Sequence, residues 1–440
     1  MTRTNNDSCR HVLSKRSTYG LDILNLLMAD VRDGVGPFLS VYLKGSQHWG
    51  AGDIGIAMAV SAMFGAVCQI PAGLLVDGIR AKRALVALSG LAVAAGCLSI
   101  ALFPGFSLVI VAQALLGAAS AIIPPALAAI SLGLVGPNQF PARVSRNEGF
   151  NHAGNFAAAL LAGVIGQRYG YQWIFLLVCF CAAASVCAVA LIRPYEIDHA
   201  IARGGQSKPE DRASPERSEQ LEAKPIGLID LFRRKDLVIF LVSAILFHFG
   251  NAAMLPMAGQ VLAKVHPGAD VSALGACIIA AQLVMVGVAA AAGWALRLGI
   301  GRRKIFMIAL VLLPIRGILF SLTDSPVAIV AIQLLDGVAA GIFGVISVII
   351  ASDLMRGTGR FNLAQGLVAL ATGLGATMSN LVAGFVVQAF GYSIGFVTLA
   401  MIAISALLFF AILMPETGPR SGPAADLPGT TGTVTVPTSD

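Results

Sequence analysis

The sequence predicts an all-α polytopic membrane protein, with twelve transmembrane helices arranged as two parallel-repeat six-helix halves. Three observations carry this: the composition, the recurrence of apolar runs of spanning length, and an internal repeat. Of 440 residues, 57% are hydrophobic and only 12% are charged, where an ordinary soluble domain carries roughly 25% charged residues. So little charge cannot cover a water-soluble surface of this size. Together with 48 glycines, it excludes a disordered chain, a soluble α/β enzyme and a secreted disulfide scaffold. The seven cysteines form no CxxC and no ligand-spaced cluster with histidine, so they read as small residues of apolar segments. The ten-residue alternating segments of a closed β-barrel are absent.

Taken in order, residues 1–20 are polar and basic and lack an apolar core followed by a small-residue cleavage site. They read as a cytoplasmic tail and not a cleaved signal. At about 20 apolar residues per span, six helices follow near 21–43, 51–76, 84–104, 106–135, 142–167 and 171–192, giving an N-terminal half over 21–193. Residues 194–236 are charged, rich in Pro, Ser and Glu, and poor in aromatics. They read as a flexible linker, with Ile226 to Arg234 as a candidate interfacial helix. Six further spans near 237–263, 271–296, 305–322, 326–354, 361–389 and 392–414 make a C-terminal half over 237–414. The Gly, Thr and Pro of 415–440 read as a disordered tail.

Lys and Arg fix the expected orientation. One side collects Arg3, Arg10, Lys15 and Arg16, the basic groups at 80–83, 143–146, 297–304 and 356–360, and the nine from Arg193 to Asp236. The other side has Lys44, Arg168 and Lys264. The positive-inside rule then places both termini and the linker in the cytoplasm, in a plasma (inner) membrane. The net charge of +7 is thereby a topology signal, and nucleic acid is not an expected partner.

The halves resemble each other in register. Ala72-Gly73 before the basic turn at 80–83 matches Ala292-Gly293 before that at 302–304, and Gln113 and Gly117 match Gln333 and Gly337, all at an offset of 220. Ala162-Gly163 with Gly170-Tyr171 matches Ala383-Gly384 with Gly391-Tyr392 at 221. Duplicated parallel halves are the arrangement expected of two bundles that rock about a midplane site.

The stretch Gly73-Leu-Leu-Val-Asp77-Gly-Ile-Arg80-Ala-Lys82-Arg83 resembles the loop signature between the second and third helices of the major facilitator superfamily. Tyr171-Gln-Trp173 after Gly170 resembles that family's fifth-to-sixth turn. The resemblance covers residues 20–414 and implies that superfamily's fold and secondary transport. It departs from the family where Arg80 replaces a usual Gly, and where Gln113 stands at the Arg of many drug–proton antiporters. It implies a conformational latch made of Gly73, Asp77, Arg80 and Arg83. A solvated turn whose basic residues anchor topology is the alternative. Physically, Gly73 permits close helix approach, and Asp77 can pair with bases or accept from a neighbouring helix start.

Charges at bilayer depth default to functional candidates. Asp30, Arg32 and Asp33 lie about ten residues, ~15 Å, into the first span. They form either a proton site tuned by Arg32 or a structural cluster. Glu148, Asn151, His152 and Asn155 fall at i, i+3, i+4 and i+7 on one helix face, with Glu148 near enough to the end to be solvated. The repeat partners of Glu148 and His152 are Ala369 and Gly373, which suggests that proton or substrate chemistry is concentrated in the N-terminal half. Glu148 and His152 alone do not make a metal site, and HExxH is absent. In the C-terminal half His248, Asn251 and Asp336 are mid-span; His248 can equally be bonded to backbone, and Arg316, which can snorkel outward, reads as structural. Pro37, Pro124, Pro125, Pro256 and Pro314 interrupt helices, either as functional kinks or as tolerated membrane prolines.

No GxxxxGK[ST] is present, so ATP-driven pumping is not expected. No Ser/His/Asp set or cofactor signature points to an enzyme. The expected function is proton-coupled secondary transport of a small organic solute by alternating access, as efflux and by a monomer. Uptake symport of a solute or organic anion is the runner-up. A non-transporting receptor or scaffold on the same fold is the reading from another class.

Overall fold

The structure, a computed structural model, describes residues 14–33, 35–199, 201–203, 233–355 and 361–417, and only the backbone at 33, 137, 138, 141, 203 and 361–363. Helices α1 (Lys15–Asp33) and α2 (Gly36–Gly45) make the first pass, broken between them, with Pro37 near the start of α2 where its missing N–H is harmless. Then follow α3 (Ala51–Gly78), α4 (Lys82–Leu102), α5 (Phe106–Ser120), α6 (Ile123–Tyr169) and α7 (Gln172–Leu191). The second half holds α8 (Lys235–Asn251), α9 (Met254–Val265), α10 (Asp270–Arg297), α11 (Arg302–Ser321), α12 (Pro326–Leu354), α13 (Phe361–Phe390) and α14 (Tyr392–Leu413).

Helix α6 spans 47 residues, about 70 Å at 1.5 Å per residue, too long for one crossing. Its backbone breaks at Gly136, with φ 73° and ψ 170°, so α5 with the start of α6 is one pass and 137–169 the next. Pairs α1/α2 and α8/α9 likewise make single broken passes, giving twelve. Ten described segments are long and apolar enough to cross a membrane by length and composition. The two passes outside that set are 15–45, which carries Asp30 and Arg32, and 137–169, which carries Glu148 and His152.

The repeat is visible in three dimensions. Gly117 of α5 lies on Ser61 of α3, and Gly337 of α12 lies on Ala281 of α10, where a Cβ would come within 2.7 Å of the carbonyl oxygen. These neighbours are themselves 220 apart. Turns before α7 and α14 use Gly170 (φ 101°) and Gly391 (φ 86°) at matching positions.

Each half has its own core. That of the N-terminal half packs Leu21, Val31, Val86, Ile130 and Phe175; that of the C-terminal half is aromatic, with Phe306 and Phe410 centroids 4.8 Å apart and Phe247 and Phe343 4.7 Å. Leu74, Val111, Phe180, Val327 and Ile412 are exposed, as a lipid-facing surface requires. The halves meet where α3 packs on α13, α6 on α10 and α2 on α9.

Three boundaries expected from the sequence move. The first helix starts at Lys15, inside the stretch read as a tail. Within the expected linker Pro194–Glu196 and Ile201–Arg203 form two 3₁₀ turns, the second docked on α6. Ile197 and Ala202 are buried there, and the Asp198 amide donates to the Gly133 carbonyl (2.9 Å). Apolar burial holds a segment whose composition is polar. Glu416, in the expected tail, accepts from the Arg302 amide at the start of α11 (2.8 Å), an anion at a helix N-terminus. The interfacial helix expected over 226–234 lies outside the described residues for 226–232.

Candidate functional site: a cavity between the halves

A cavity of about 210 Å³ lies at the interface of the two halves, where α1, α2, α6, α9, α10 and α12 converge. Asp30 and Asn155 face it from the N-terminal half, and Gln282, Gln333 and Asp336 from the C-terminal half. The structure thus brings together three residues singled out by depth and spacing (Asp30, Asn155, Asp336) and adds two glutamines. A second cavity of about 110 Å³, within the N-terminal half, is lined by Asn25, Arg32, Asn147, Glu148 and Asn151 among others. Glu148 is exposed and accepts a long contact from Asn151 (3.4 Å). His152 reaches across to the other half, its Nδ1 2.9 Å from Gln282 Oε1. The side chain of Asp33 lies outside the described residues.

Asp336 is held by Arg316, whose Nη1 donates to Asp336 Oδ1 at 2.8 Å and also to Asn251 Oδ1. Nη2 donates to Gln333 Oε1 (2.9 Å), and Gln333 Nε2 returns to Asp336 Oδ2 (2.8 Å). Arg316 is 1% exposed, so it does not snorkel. Its position on α11 turns inward, where a carboxylate and two amides replace water, and Phe320 lies 5.2 Å from the guanidinium. This network sets polar groups of the C-terminal half beside those carried by Glu148 and His152 in the N-terminal half. His248 donates Nδ1–H to the Ala244 carbonyl (3.1 Å) and sits edge-on to Phe343 (4.6 Å), outside the cavity lining.

Sequence reasoning missed Asp22. It is 3% exposed and accepts from Arg143 Nη2 (2.7 Å) and Arg146 Nη2 (2.6 Å). Arg143 Nε then donates to Asn147 (2.7 Å), and Asn147 to Ser131 (2.9 Å). The acid at one end of the first span and two bases heading the fifth were the available signal. Read singly, Arg143 and Arg146 are topology charges, and Asp22 stands out by nothing in its own neighbourhood.

Among the described residues four hydrogen bonds join the halves: His152 to Gln282, the Ser40 hydroxyl to the Pro256 carbonyl (3.1 Å), the Gly52 amide to Gln388 (3.0 Å), and the Tyr171 hydroxyl to Asp270. The last three lie on the face away from the termini. There burial first, and then the Asp270 carboxylate, hold the Tyr171 phenol above its ordinary value. Backbones approach closely in the same seam. A Cβ on Gly384 would lie 2.9 Å from Gly55 Cα, and one on Gly275 3.3 Å from Gly163 Cα.

At the opposite face Gly73 is half-buried, and Asp77 and Arg80 are exposed. Asp77 makes no ion pair or hydrogen bond among the described residues. Arg83 Nε donates to the Val189 carbonyl (3.1 Å), and Lys82, fully buried, donates to that of Val76 (2.5 Å). These contacts tie the turn to its own half.

The sequence profile described as Major Facilitator Superfamily matches residues 21–299 and, overlapping, 240–437. Two curated relatives, each described as an uncharacterised MFS-type transporter and from two strains of Mycobacterium tuberculosis, are 42% identical over 407 residues, 91% of this chain and 94% of theirs. Among solved structures, the nucleoside transporter NupG superposes with a TM-score of 0.70 at 14% identity, covering 91% of this chain and 99% of its own. A POT family transporter in complex with a thioalcohol-conjugated peptide gives 0.71 at 14% identity, covering 89% and 95%. At that identity the likeness shows the fold alone. The profile over both halves and the close relatives show more: this chain is a member of the Major Facilitator Superfamily, a non-enzymatic membrane transporter of a small molecule.

Proposed function

We propose that the protein exports a small organic solute in exchange for protons, by alternating access, as a monomer in the plasma membrane with both termini cytoplasmic. The observation that carries this reading is the cavity between the halves, with Asp30 on one wall and Asp336 on the other. A carboxylate on each rigid body lets a proton and a solute compete for the same space as the bodies rock. In this reading Arg316 tunes Asp336, and Arg32, Glu148, Asn151 and His152 serve the proton or solute pathway of the N-terminal half. The placement of Lys and Arg supports the orientation. The mostly apolar walls support export, since they suit solutes that leak inward through lipid unaided.

Everted membrane vesicles test both coupling and direction. With the lumen acidified, an exporter that exchanges protons should accumulate solute and discharge the pH gradient, and Asp30→Asn should abolish both. Accumulation only in right-side-out vesicles would establish uptake instead. Solute movement indifferent to the gradient would remove the proton.

A further inference from the structure

The cavity between the halves presents carboxylates and, among the described residues, no basic side chain. Asp336 is 17% exposed, whereas its partner Arg316 is 1% exposed and lies behind it, outside the lining. The other polar groups are the neutral amides of Asn155, Gln282 and Gln333, and the rest of the wall is apolar, including Phe38, Leu255, Ile278 and Met285. An anionic solute would meet like charges at low dielectric with no cation to receive it. A neutral solute would strip water from the acids and return no charge. A cation gains from both carboxylates and from the ring of Phe38. The volume of about 210 Å³ falls below the ~300–1,000 Å³ usual for drug-sized ligands.

We infer that the solute is a compact organic cation, a protonated amine on an apolar body of about one ring. This deepens the transport reading above and rests on it for movement, though not for binding. The test is calorimetric binding to the full chain in lipid nanodiscs, with three probes of matched body: 2-phenylethylammonium, 3-phenylpropanoate and 2-phenylethanol. The ammonium should bind saturably and at least tenfold more tightly than the other two. Asp30→Asn should weaken it tenfold or more. Because Asp336→Asn alone strands Arg316, the second variant combines it with Arg316→Gln, removing both charges, and should weaken the ammonium similarly.

Equal or tighter binding of the propanoate or the alcohol would overturn the inference. So would an absence of saturable binding by all three, or ammonium affinity within threefold of wild type in both variants. Ammonium binding without any flux in proteoliposomes would sustain this ligand class while refuting the transport reading.

Discussion

Arg316 commits its guanidinium to Asp336, Asn251 and Gln333 while 1% exposed. Removing one member of such a pair leaves a buried charge uncompensated and costs about 3–5 kcal/mol, whereas replacing both by apolar residues is often neutral. Arg316→Met should therefore lower the melting temperature in detergent sharply, and Arg316→Met with Asp336→Leu should recover most of the loss. Equal melting of single and double variants would show that the pair is not coupled. Asp336 was legible in the sequence because an acid in mid-span has no inexpensive alternative. Arg316 was not, since a long side chain in an apolar run can reach water or a partner, and only packing decides. Asp22 was hidden for a related reason: what buries it is Arg143, 121 residues away.

At the scale of elements, the docked turns over 194–203 are held by contacts that composition does not reveal. A Cβ on Gly133 would lie 2.9 Å from both the Asp198 carbonyl oxygen and the Ile197 side chain. Gly133→Leu should thus speed hydrogen exchange at the Asp198 and Ala202 amides and leave the core helices protected; unchanged exchange would refute the docking. Glu196 adds a pH dependence. Burial raises its pKa, but hydrogen bonds from Ser17 and Ser14 and the charge of Arg193 more than offset this, and the carboxyl rests below its ordinary value. A depressed pKa contributes stability above the unfolded value, about 4.3, and loses it as pH falls through the folded one. Protection of these turns should decline only in that acidic window, and Glu196→Gln should remove the dependence. The helices themselves were readable from apolar length, and the paired halves from matched Gly and Gln positions. Charged helix ends and the linker's first turns were not, because burial against a distant element sets them.

For the whole molecule, one reporter separates two roles. Ser40 is fully buried in the seam on the face away from the termini, so Ser40→Cys in a Cys-free background labels only when that face opens. A Cβ on Gly55 would come 2.5 Å from the Asn380 carbonyl oxygen. Such overpacking costs about 1–3 kcal/mol, and Gly55→Val should raise labelling at least ~fivefold. Asp77, unpaired among the described residues, has nothing to lose in this state. If it latches the alternate one, Asp77→Asn should lower labelling about fivefold, as ~1 kcal/mol for a surface pair implies, with solute affinity near normal. Lost binding with unchanged labelling would make Asp77 a solute contact instead. The glycine seam has one more consequence. Where Gly55 faces Gly384 and Gly163 faces Gly275, backbone slides on backbone with no side chains to interlock. Parting the halves at these points requires little rotamer rearrangement. The pace of the cycle then falls to how fast lipid tails and water wet the parted faces, so turnover should follow the viscosity of the surrounding bilayer.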